Sequence, residues 1–107
     1  MSLEKLIEKG EWLDCYSALL TKRQKECLEL YYYENLTLAE IADYFHISRQ
    51  AVHDAMRHGE EQLLMYEEAL HLAEKRRKHK DVIERLRGEL PEEIRERVES
   101  LLKILSD

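Results

Sequence analysis

Near the start of the chain, apolar residues fall at Leu3, Leu6, Ile7, Leu13, Tyr16 and Leu20, mostly three or four apart, as on one face of a helix. This predicts a helix from Ser2 to about Leu20, with a break or a close helix approach at Gly10. Thr21-Lys22-Arg23-Gln24 has the form of a capping box, in which a hydroxyl and an amide side chain satisfy each other's backbone N–H groups. It opens a second helix carrying Leu28, Leu30, Tyr31 and Tyr32, closed by Glu34-Asn35-Leu36. Tyr31, Tyr32 and Tyr33 cannot all face inward, so at least one is expected at the surface. A second box, Thr37-Leu38-Ala39-Glu40, predicts a short helix over 38–45 with Leu38, Ile41, Ala42 and Phe45 inside. After the linker His46-Ile47-Ser48, a long helix is predicted from Arg49 to about Lys78. Its seam, Val52, Met56, Gly59, Leu63, Tyr66, Leu70 and Ala73, alternates steps of four and three, the spacing of helices packed lengthwise. Gly59 marks a close approach or a bend. Asp81 is read as the cap of a further helix with Val82, Ile83 and Leu86 inside. Gly88-Glu89-Leu90-Pro91 is the clearest break, and a last helix carries Ile94, Val98, Leu101, Leu102 and Leu105.

Residues 37–63 meet the requirements of a helix-turn-helix, two helices held at a wide angle by a tight turn. Ala42 is small where the helices meet, Ile47 plugs the angle, and Ser48 restarts the helix at once. Val52 and Met56 close the core, and His46 must take a left-handed backbone where many such turns carry glycine. The outer face of the second helix then carries Arg49, Gln50, His53, Asp54 and Arg57. In this motif that face enters the major groove. An arginine reaches guanine or phosphate there, and Gln50 suits the edge of adenine, at about 1–3 kcal/mol of discrimination for each good bidentate pair. Arg23, Lys25 and Thr37 are candidates for backbone phosphate.

Composition qualifies that picture. The 107 residues carry a net charge of −6, which excludes indiscriminate coating of nucleic acid. Between Thr37 and Gln62 there are two arginines against five acids, so weak intrinsic DNA affinity is expected of the motif alone. Residues 74–87 reverse the balance, with seven Lys/Arg against three acids. Within them Lys75, Arg76, Arg77, Lys78 and Lys80 form a basic patch suited either to solvent at a helix end or to phosphate. The spacings of His53, His58, His71 and His79 do not suit a metal. Cys15 and Cys27 form neither a disulfide framework nor a zinc motif. No phosphate loop, nucleophile elbow or metalloprotease signature is present, and no enzyme activity or cofactor is expected. No apolar run approaches the length of a membrane span, and a cytoplasmic protein is expected.

The stretch LTKRQKECLELYYYENLTLAEIADYFHISRQAVHDAMRHGEEQL resembles region 4 of sigma-70-type factors. More closely, LYY, ENLTLAEIA, ISRQAVHDA and the long helix after them resemble the YlxM-like proteins over nearly the whole chain. These are small helix-turn-helix proteins of Gram-positive bacteria whose genes lie beside those of the signal recognition particle. The resemblance implies a role in or on that pathway, with particle components as partners.

The expected fold is all-α: a sigma region 4-like helix-turn-helix of the winged-helix-like superfamily type without a wing, with a helical extension. The helix-turn-helix domain is placed at 1–73, and a basic helix end with a C-terminal helical hairpin at 74–107. Two functions stay open: a regulator that binds DNA, or RNA, and an adaptor that binds the signal recognition particle or another protein through its helical faces. A lone motif covers little DNA, so pairing of two copies through the seam and the last helix is also expected.

Overall fold

Two capping boxes and a serine start the middle helices. The structure is a computed structural model and describes residues 2–106. Thr21 accepts from the Gln24 amide and Thr37 from the Glu40 amide, each at 3.2 Å, while both partner side chains return the bond. Ser48 Oγ accepts from the Ala51 amide at 3.0 Å. The described residues hold six α-helices and no strand: α1 Leu3–Tyr16, α2 Lys22–Tyr32, α3 Leu38–Phe45, α4 Arg49–Leu70, α5 Leu72–Glu89 and α6 Glu92–Ser106. A short 3₁₀ turn, Ser17–Leu19, follows α1. The chain divides into two compact units, Met1–Leu70 and His71–Asp107.

In the first unit α4 packs against α1, α2 and α3. Leu13, Tyr16, Leu28, Ile41, Val52 and Leu63 are fully buried between them. Burying each such aliphatic side chain is worth about 1.5–3 kcal/mol, so this cluster holds the unit together. Lys9 pairs with Glu60 at 3.0 Å, and the Tyr16 hydroxyl donates to Glu67 at 2.7 Å. Both links span 51 residues, so α1 lies parallel to α4. The Tyr32 hydroxyl also donates to Glu60, at 2.8 Å, so one carboxylate ties α1, α2 and α4. At Gly59, α2 comes so close that an added Cβ would lie 2.7 Å from Leu28 Cδ1. The expected close approach is therefore real, and glycine is what permits it.

Three expectations need correction. Gly10 neither breaks α1 nor meets a neighbour; nothing lies within 4 Å of its would-be Cβ. The long helix does not run to Lys78. It stops at Leu70, His71 turns left-handed at φ 54°, and α5 begins at Leu72. The heptad seam fails there too: Leu70 is 44% exposed, and Glu67 holds the last buried place on α4. No glycine or proline marks this break, and Leu-His-Leu-Ala-Glu is ordinary helical sequence, so local propensity cannot reveal it. Finally, Asp81 caps nothing; it sits exposed inside α5, because nothing between Lys78 and Asp81 disfavours a helix.

The second unit is the hairpin α5–α6. Leu90 and Pro91 separate its helices, and the Pro91 carbonyl accepts from the Ile94 and Arg95 amides in the first turn of α6. Ile83 and Leu102 are buried, and Arg87 reaches Glu99 at 3.0 Å. Among the described residues no helix is long and apolar enough to cross a membrane.

Candidate nucleic-acid interface

The turn between α3 and α4 follows from hydrogen-bond satisfaction. His46 adopts φ 56°, ψ 44°, and its amide donates to the Asp43 carbonyl while that of Ile47 donates to Ala42. These two bonds make a Schellman closure, which satisfies the last carbonyls of α3. Histidine occupies a backbone region that glycine takes without cost, so the turn carries strain of order 1 kcal/mol. Ala42 is 4% exposed at the crossing, Ile47 packs half-buried on the core, and Val52 is fully buried behind it. The wedge expected from the sequence is formed.

That wedge fixes the rotation of α4. With Val52, Met56, Gly59 and Leu63 inward, Arg49, Gln50, His53 and Arg57 are exposed and Asp54 is half-buried. At 100° per residue these five occupy one continuous outer strip. The strip is already engaged with itself. Gln50 Nε2 donates to Asp54 Oδ1 at 2.9 Å, and His53 Nδ1 lies 3.7 Å from the same oxygen. Arg57 pairs with Glu61 at 3.2 Å and touches His58 Nε2 at 3.3 Å. Tyr31, Leu38, His53, Met56, Arg57 and Glu60 line a shallow groove beside this strip.

The remaining candidates are less available for phosphate than their residue types suggest. The Arg23 guanidinium stacks over Phe45, 4.4 Å from the ring centroid, and Lys25 lies 3.9 Å from Glu29. The Thr37 amide, the natural anion site at the start of α3, donates to its own Glu40 carboxylate at 3.1 Å. A phosphate would have to displace that carboxylate. Lys75, Arg76, Arg77, Lys78 and Lys80 are all exposed on α5, but successive residues point 100° apart, so they surround the helix instead of forming one face. Lys78 pairs with Glu74 at 3.0 Å, which holds the Glu74 carboxyl below the usual carboxylate range. The partners Glu61 and Glu74 were legible as charges four residues from Arg57 and Lys78, a signal the motif reading passed over.

Cys15 and Cys27 are free; burial pushes the Cys27 thiol up and keeps it protonated at neutral pH. Among the described residues no group of His, Cys, Asp or Glu is arranged to hold a metal.

A short helix, a Schellman turn and a long second helix with a polar outer strip make this an all-α helix-turn-helix protein. The chain belongs to the UPF0122 family of YlxM / p13-like helix-turn-helix proteins, whose family model matches residues 3–103. It is 38% identical to the UPF0122 protein YlxM of Bacillus subtilis, over 97% of this chain and 99% of that one. A UPF0122 protein of Bacillus licheniformis is 42% identical, over 81% of each chain. One from Desulforamulus reducens is 41% identical, over 86% of each.

Proposed function

We propose that the protein is a non-enzymatic, cytoplasmic nucleic-acid-binding regulator that reads duplex DNA with the outer strip of α4. The observation that carries this reading is the rotation of α4 set by Ala42, Ile47 and Val52, which leaves Arg49, Gln50, His53 and Arg57 exposed together on one strip. Arg49 and Arg57 serve guanine or phosphate, and Gln50 serves adenine once it leaves Asp54. Arg23, Lys25 and Thr37 hold phosphate only once they leave Phe45, Glu29 and Glu40, and the basic run of α5 is a separate source of positive charge. That unit, residues 1–70, carries fourteen acids against seven Lys/Arg, so the reading implies modest affinity and few phosphate contacts. The resemblance to proteins encoded beside signal recognition particle genes narrows the first ligands to test: DNA upstream of its own gene, and the particle's RNA.

The self-engagement of Gln50 and Arg57 favours a second reading, an adaptor that docks on a protein or ribonucleoprotein through the same faces. Titration of labelled DNA and of particle RNA across a salt series separates the two. Groove reading requires that the triple variant Arg49→Ala, Gln50→Ala, Arg57→Ala lose sequence preference by roughly 10–100-fold at each salt concentration. Unchanged binding in that variant, with loss on neutralising residues 75–78, assigns binding to the basic run. No binding to either ligand sinks the regulator and leaves the adaptor.

A further inference from the structure

Beside α1 lies an apolar groove that the core does not fill. Leu3, Leu6, Ile7 and Gly10 form one wall, Tyr33 and Leu36 belong to the other, and the space between them holds about 660 Å³. Leu3 is 71% and Ile7 55% exposed, although both sit on the helix strip next to the buried Leu13. From Leu3 to Asp14 that strip runs about 16 Å, roughly three turns of helix. Gly10 lies in the middle of it. Glycine weakens a helix interior relative to alanine, so its place there calls for a reason. At Gly59 the reason is Leu28 Cδ1, 2.7 Å from a would-be Cβ, but at Gly10 no neighbouring atom comes within 4 Å. The notch opens on the groove, and the packing of the chain itself does not require it.

We propose that this groove binds a basic amphipathic helix of another protein. Two observations choose that occupant. The first is charge. At 100° per residue, Glu4, Glu8 and Glu11 fall along the lip of the groove away from the core. Asp14, which accepts from the Tyr33 hydroxyl, closes one end. Lys5 and Lys9 turn to the opposite flank, where Glu60 holds Lys9 at 3.0 Å. An apolar floor with an acidic lip is complementary to a helix whose apolar stripe is flanked by lysine or arginine. The same lip repels the phosphates of nucleic acid. The second observation is the notch at Gly10, which lets a side chain of the partner approach the α1 backbone. The groove shares no residue with the outer strip of α4, so this surface goes beyond the DNA reading and does not rest on it.

Calorimetric titration of the full chain without nucleic acid tests this, so its outcome is independent of any binding to DNA. The probe is a synthetic peptide of about 18 residues, with leucines three and four apart on one face and lysines elsewhere. Binding with a Kd of roughly 10 μM is expected, and none by the same peptide with glutamate in place of lysine. Gly10→Gln fills the notch without adding apolar surface. It is expected to weaken binding at least about tenfold, while the melting temperature holds or rises because the position is open in the single chain. Glu4→Lys with Glu8→Lys weakens binding about tenfold, with the loss shrinking at high salt. No binding at about 200 μM peptide, equal binding of the glutamate peptide, or indifference to Gly10→Gln overturns the proposal. Self-association in sedimentation that Gly10→Gln abolishes assigns the groove to a second copy instead, and overturns it too.

Discussion

Gly59 is where a single hydrogen atom decides the distance between two helices. Alanine is the better helix former by about 1 kcal/mol, yet its methyl would meet Leu28 Cδ1 at 2.7 Å and Gln24 Cβ at 3.3 Å. Leu28 is fully buried and has nowhere to swing, so Gly59→Ala is expected to destabilise the chain by about 1–3 kcal/mol in urea denaturation. His46 runs the other way. Its left-handed backbone costs what glycine would not, and its side chain is exposed, so His46→Gly is expected to stabilise by about 0.5–1 kcal/mol, read as a higher melting temperature. Both positions stood out in the sequence for the same reason: each departs from what its local pattern would choose.

Among the elements, α2, α3 and the start of α4 were legible because side chains near their ends announce them. Thr21 with Gln24, Thr37 with Glu40, and Ser48 are local signals acting through local bonds. The boundary at His71 was not legible, since a left-handed residue between two strong helix formers leaves no mark in the sequence. Asp81 misled for the converse reason: a good capping residue is also tolerated on an exposed helical face. On α4 the candidate face was found by periodicity, but its state was not, because pairing of Arg57 with Glu61 depends on rotamers. Glu61→Gln frees the guanidinium and removes a negative charge. It is expected to raise DNA affinity several-fold at low salt, with the gain vanishing at high salt; an unchanged titration would place Arg57 outside the contact.

For the whole molecule, the two units differ in how much they bury. The first has a contiguous core of nine buried residues, whereas α5 and α6 together bury Ala73, Ile83 and Leu102. Hydrogen exchange should therefore find α6 amides opening well before those of α2 and the first half of α4; uniform protection across the helices contradicts this. A practical consequence follows from the direction of α1. Leu3, Leu6 and Ile7 share a groove with Leu36 and Thr37, so the first turns of α1 lie beside the start of α3. A purification tag fused ahead of α1 would crowd the surface under assay, while one at the carboxyl end would sit on the other compact unit. Measurements of DNA affinity thus call for a tag at the carboxyl end.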